Sequence, residues 1–228
     1  MDGEISVSRS MLFGAGIVWA LAIAAGLVVL WDYDAGPAPA GHPPTRWPRA
    51  SRVPAPTSQP HLIVAAHPKC PCTRASIGEL ERLMTRARGL VDAYVLFYRP
   101  DNAADGWERS DLWTRAAAIP GVHVLRDDRG DEAARFGALA SGQTMLYAVN
   151  GDLLFRGGIT ASRGHAGDNA GASAILALIE GSRPHPTVTP VYGCIIRDLS
   201  GPRPVAGGAV AFLRNVMAGI GVPVGAAR

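Results

Sequence analysis

From Met11 to Trp31 the chain runs MLFGAGIVWALAIAAGLVVLW without one charged residue. About 20 apolar residues in a helix, at roughly 1.5 Å of rise each, cross the hydrocarbon core of a bilayer. The run therefore predicts a single transmembrane anchor over 11–31, preceded by a short tail, 1–10. Trp31 and Tyr33, with Asp32 and Asp34, suit the boundary where amphipathic rings and charges meet headgroups and water. A cleaved signal peptide is the competing reading. The run is long for a signal's apolar region and no clean small-x-small site precedes Trp31, which favours retention.

Charge does not settle the orientation, because Arg9 lies on one side of the run and Arg46, Arg49 and Arg52 on the other. A short tail and a large C-terminal domain carrying a cysteine pair favour export of the domain, into a compartment where disulfide chemistry is usual. From 32 to 60 the chain is dense in proline with Ala, Ser and Arg, a composition that predicts an extended spacer.

The remaining length suits one domain, 61–198, followed by a tail, 199–228. At 228 residues and 48% apolar content the chain can bury a core. The net charge of +3 is spread thinly, with no basic block interleaved with aromatics, which argues against a nucleic-acid partner. Near-absence of lysine beside abundant Ala, Gly, Arg and Pro suggests a high-GC bacterial source. The tail from 205 to 224 is apolar but broken by Arg214, Asn215 and glycines, so no second span is expected there.

Stretches rich in β-branched and aromatic residues predict strands over 61–66, 93–98, 122–126, 144–149 and 153–157. Asn150-Gly151 between the last two predicts a tight type I′ hairpin, since both residues tolerate positive φ. Helical periodicity fills the gaps: 74–88, with Ile77, Leu80, Met84 and Ala87 on one face, then 111–118, 131–139 and 170–180. Strand, helix, strand, helix, strand, helix, hairpin, helix is the order of an α/β thioredoxin-like fold with a mixed central sheet.

Two of the three cysteines, Cys70 and Cys72, sit in HPKCPCTRAS, where the first strand gives way to the first helix. Unsatisfied N–H groups and the helix dipole favour negative charge there, so a thiolate is expected. Arg74 or a protonated His67 would lower the thiol pKa further. Pro71 suits the first helical turn, where its missing N–H costs nothing. A disulfide closed over one intervening residue is expected to be strained and readily reduced. The bland alternative, an inert buried pair, does not explain His67, Pro68 and Pro71 at such a junction.

Cys194, in TPVYGC beyond the last helix, is either a lone thiol or a resolving thiol or third ligand brought back to the pair. His67 is either a thiolate partner or metal ligand, or a turn residue. Arg163, His165, Asp168 and Asn169 fall in the loop 160–169, which either lines the site or, through Asp168 and Asn169, caps the last helix, the cap being favoured. His61, His123 and His185 lack partners at useful spacing and are read as structural.

The strand, the His-Pro-x-Cys-x-Cys turn and the helix resemble the active-site corner of thioredoxin-like proteins, with one residue fewer between the cysteines. The stretch from His61 to Cys194, including FRGGITASRGHAGDN and PVYGC, is similar to the RedB-like group of bacterial thioredoxin-fold proteins. The resemblance implies an oxidoreductase-type fold and a shared cysteine pair, with no assigned substrate. Thioredoxins place a cis-proline before the hairpin strand, facing the cysteines; Ser141-Gly142-Gln143-Thr144 has none. That departure opens a metal reading.

The leading expectation is a single-pass protein of the bacterial inner membrane with a periplasmic domain that exchanges disulfides without a cofactor. Cys70, expected to be the more exposed, attacks a partner protein's disulfide, Cys72 resolves the intermediate, and Cys194 is a candidate relay. A protein disulfide or thiol is the expected substrate, and a neighbouring membrane protein the candidate electron donor. The alternative resembles thioredoxin-fold copper assembly factors, with Cys70, Cys72 and either Cys194 or His67 holding Cu(I). A peroxide-reducing role lacks the Thr-x-x-Cys surroundings of that family.

Overall fold

The computed structural model describes residues 9–87, 89–184 and 186–196. His185, the first eight residues and the tail expected over 199–228 lie outside that set. The chain divides into two units, one containing the first helix and the other opening at Pro37.

Helix α1, Arg9–Ala35, extends the predicted span by a few residues at each end. Its segment Arg9–Asp32 has a mean hydropathy of 2.4 and none of it is buried in the protein. The helix is long and apolar enough to cross a membrane or to serve as a signal.

In the second unit five strands, β1 (His61–Ala66), β2 (Asp92–Arg99), β3 (Val122–Asp128), β4 (Gln143–Tyr147) and β5 (Leu153–Gly158), form one sheet in the order β3-β2-β1-β4-β5. The first three run parallel, as βαβ crossovers require, and β4 and β5 are antiparallel. With helices α2 (Pro71–Ala87), α3 (Asp111–Ala117), α4 (Asp131–Arg135) and α5 (Ala170–Ile179), this is the thioredoxin-like fold expected from the order of elements.

Alternation along β1 explains the two cores. Leu62 and Val64 pack with Ile77, Leu80, Leu83, Leu112 and Ile175 from α2, α3 and α5; Ile63 and Ala65 pack with Ala133 and Phe136 on the other face. All six residues of β1 are buried, as befits a central strand.

Two expectations give way. Asn150 does not adopt positive φ, whereas Gly151 does, at +83°. Gly151 donates its N–H to the Ala148 carbonyl at 2.8 Å, so the hairpin turns through three residues with a left-handed glycine, instead of a two-residue type I′ turn. The stretch 37–60 is also not a free spacer. Trp47 sits edge-on to Phe136 and Tyr147, with centroids 5.0 and 5.2 Å away, and Val53 is buried in the same core. Trp47 N–H donates to the Gly151 carbonyl, Leu153 N–H to the Thr45 carbonyl and Tyr147 Oη to the Pro44 carbonyl. The short helix α4 leaves part of that sheet face open. Counting prolines predicts a spacer but overlooks the apolar anchors between them.

Candidate functional site: three thiols at the start of helix α2

The chain leaves β1 at His67 and turns at once, with Cys70 N–H donating to the His67 carbonyl at 3.2 Å. Helix α2 then begins at Pro71, which places Cys70 where a capping side chain would stand. Its sulfur also faces the backbone N–H groups of Cys72 and Thr73, the latter donating as well to the Cys70 carbonyl at 3.1 Å. Thr73 Oγ1 donates to the His67 carbonyl at 3.0 Å and shares a 2.5 Å bond with Ser141 Oγ, which also accepts His67 N–H. Ser141 stands just before β4, so it ties the cysteine turn to the strand beside it.

Cys194 reaches the pair. Beyond α5 the chain returns along the residues preceding β4: Ser141 N–H donates to the Cys194 carbonyl at 2.8 Å, and Ile196 N–H to the Leu139 carbonyl at 2.9 Å. Cys70 and Cys194 share a hydrogen bond, Sγ to Sγ, of 3.2 Å. All three sulfurs lie within 4.8 Å of one another, and the cysteines are free thiols.

The three thiols are electrostatically unequal. Cys70 is drawn down to about 4, first by its hydrogen bond with Cys194 and then by the N–H groups of Thr73, Cys194 and Cys72, against the opposing effect of burial. A Cys70 thiolate therefore takes the S–H proton of Cys194 as a donor. Cys194 is pushed well above the ordinary thiol range by that same bond, by burial and by the negative charge of Cys70. Cys72 is raised by burial and by Cys70, with Arg163 acting in the opposite sense.

Several expected contributors fall elsewhere. Arg74 pairs with Asp111 at 2.5 Å, at the surface, and Arg163 is the arginine that faces the thiols. Arg163 Nη1 donates to the Gly193 carbonyl at 2.7 Å, which anchors the residue next to Cys194. His67 does not join the sulfur cluster: its Nδ1 accepts Lys69 N–H, and its ring stacks on Tyr98 with the Trp107 edge beside it. Burial lowers its pKa, which disfavours the charged ring. Cys70 is 4% exposed against 7% for Cys72, so Cys70 is not the more exposed of the pair.

Asn169 caps α5, accepting Ala172 N–H at 2.7 Å, as expected. His165 and Asp168 are exposed. His61 is buried against Trp47 and Tyr94, and His123 stacks on Tyr94, both structural placements. Sequence reasoning missed the linking role of Ser141 and that of Glu79. Buried on α2, Glu79 accepts Gly167 N–H at 2.7 Å and Asn169 Nδ2 at 3.3 Å, holding the loop that carries Arg163. An acidic residue on the apolar face of a helix was the available signal.

No family model and no curated protein matches the chain. A hypothetical protein from Sinorhizobium meliloti 1021 superposes with a TM-score of 0.53 at 19% identity, covering 72% of this chain and all of that one. An uncharacterized conserved protein from Geobacillus kaustophilus gives 0.52 at 17% identity, covering 74% of this chain and 96% of that one. A secreted Mycobacterium tuberculosis disulfide oxidoreductase homologous to E. coli DsbE gives 0.39 at 14% identity, over 55% and 83%. At these identities the first two similarities establish a shared fold and nothing of the chemistry, and the third is too distant to weigh.

Proposed function

We propose that this chain is a membrane-anchored thiol-disulfide oxidoreductase of the RedB-like group, with its domain in the bacterial periplasm. The observation that carries the reading is the setting of Cys70, whose sulfur meets three backbone N–H groups and the thiol of Cys194 at the start of a helix. Such a sulfur is a thiolate at neutral pH, the form that attacks disulfides and that leaves well from them. Cys72 and Cys194 are the two thiols within reach to close a disulfide with it. The substrates are protein thiols or disulfides, and a neighbouring membrane protein supplies or accepts the electrons. Replacing Cys70 and Cys72 together with serine is expected to slow exchange with glutathione disulfide about a hundredfold. An unchanged rate overturns the reading.

A second reading rests on the sulfur cluster itself. Three thiolates within 4.8 Å of one another offer the soft donor set that suits Cu(I), with no histidine among the described residues joining them. Under it, Cys70, Cys72 and Cys194 hold copper for delivery. The fully reduced chain, titrated anaerobically, would then take up one Cu(I) and lose that capacity on replacement of any two of the cysteines. Absence of stoichiometric uptake removes it.

A further inference from the structure

We propose that the redox-active disulfide of this chain joins Cys70 to Cys194, and that Cys194 is the sulfur that meets the partner protein. The proposal rests on the exchange reading above and assigns the roles within it.

Helical geometry disfavours the adjacent pair. Cys70 stands just before α2 and Cys72 in its first turn, so although their sulfurs lie within 4.8 Å, a bond between them closes a small ring over Pro71 alone. Closing a bond between them means twisting that turn and giving up the N–H that Cys72 offers to the Cys70 sulfur. Cys194 comes from a separate segment and faces Cys70 directly, at 3.2 Å. A disulfide needs a movement of about 1 Å from there.

The segment is also seated for the purpose. Bonds on either side of Cys194 fix its register: Ser141 N–H to its own carbonyl, Ile196 N–H to the Leu139 carbonyl, and Arg163 Nη1 to the Gly193 carbonyl. Gly193 passes so close to β4's approach that a Cβ there would lie 1.8 Å from the Ser141 oxygen, so only glycine allows the segment to lie down. None of these bonds involves either sulfur, so none has to break for the sulfurs to join.

Access sets the order of events. Cys70 and Cys72 are buried residues and Cys194 is part-exposed, which assigns to Cys194 the first encounter with an incoming thiolate. In the reducing direction for this chain, a partner thiolate bonds to Cys194 Sγ and the Cys194–Cys70 bond breaks. The electron pair passes to Cys70 Sγ, where the N–H groups of Cys72, Thr73 and Cys194 receive the charge. A second partner thiol, losing its proton, then bonds to the first partner sulfur and releases Cys194, which is protonated. The partner dithiol has become a disulfide, the chain holds one thiolate and one thiol, and a proton has gone to solvent. The same steps in reverse oxidise the chain at a partner disulfide. Cys72 contributes its backbone N–H, which a serine in its place would keep.

The test uses the full chain in detergent, equilibrated with mixtures of reduced and oxidised glutathione, alkylated and digested without reduction. Trypsin cuts after Lys69 and Arg74, so Cys70 and Cys72 leave on one short peptide. A bond to Cys194 joins that peptide to a second one; an internal bond leaves it alone. The joined species is expected, with Cys72→Ser keeping the glutathione equilibrium within about threefold and Cys194→Ser lowering the oxidised fraction about tenfold. In Cys70→Ser, glutathione is expected to collect on Cys194. An internal Cys70–Cys72 bond in the unmodified chain, surviving in Cys194→Ser and lost in Cys72→Ser, overturns the assignment while leaving the exchange reading intact. A chain that stays reduced at every glutathione ratio overturns both. The mapping of the unmodified chain decides even where a variant fails to fold.

Discussion

At the scale of single residues, the site is an unequal sharing of one negative charge among three sulfurs. Cys70 keeps it because three N–H groups and one thiol point at it, and its neighbours are correspondingly harder to ionise. The thiolate absorbance of the reduced chain is therefore expected to persist on acidification and to fade only near pH 4, and Cys194→Ala, which removes the largest stabilising partner, to move that midpoint upward. Stability follows with a definite sign. A depressed folded-state pKa gives stability that is complete above the ordinary thiol value of 9.0 and is lost as pH falls through about 4. The urea midpoint of the reduced chain, measured against Cys70→Ser, is expected to rise between about pH 5 and pH 8. A flat difference would place the thiolate elsewhere. The cysteine turn was legible because its logic is local: a strand end, a proline in the first turn, and a helix dipole. Cys194 was legible only as one of two open readings, since nothing near it in sequence reveals that residues 194–196 lie beside 139–141.

Among elements, the coupling that matters runs from helix α2 to the loop before α5. Glu79 accepts from Gly167 N–H and Asn169 Nδ2 and pairs with Arg82, so the loop bearing Arg163 is fixed to the same helix that presents Cys70. Replacing Glu79 with alanine removes the acceptor of the part-buried bond from Gly167 N–H, at a cost of about 1 kcal/mol. Glu79→Gln keeps an acceptor oxygen and is expected to cost less than half as much, a contrast readable in urea denaturation. Equal losses in the two variants would assign Glu79 to packing alone. The elements themselves were mostly legible, because β-branched runs and a 3.6-residue period are strong signals. Their ends were not: β3 runs on to Asp128 and α4 stops at Arg135, well short of the expected 139. The start of α4 at Asp131 was expected, and Asp127 holds it. Its buried carboxylate accepts Glu132 and Ala133 N–H at 2.7 and 3.0 Å, fixing where α4 begins, a contact between residues whose pairing no periodicity encodes.

For the molecule as a whole, the folding unit is larger than the thioredoxin-like order of elements requires. Residues 37–60 close the sheet face that α4 leaves open, placing Trp47 against Phe136 and Tyr147 and burying Val53. Glu132, itself buried, accepts Ser51 Oγ and Arg52 N–H and so secures the segment to α4. A domain begun at Pro37 retains all of this, whereas one begun at His61 exposes the apolar faces of Ile63, Met145 and Phe136 to water. Loss of one buried valine and much of a tryptophan amounts to at least about 3 kcal/mol. With a urea dependence of about 1–3 kcal/mol per molar, the midpoint of the shorter domain is expected to fall by about 1–3 M, or its folding to fail outright. The intermediate substitution Trp47→Ala, in the domain begun at Pro37, should give part of that loss, about 2 kcal/mol for a half-buried ring. Coincident midpoints for the two domains would return the segment to the role of a passive spacer, and the three-thiol site would then stand on the sheet and its helices alone.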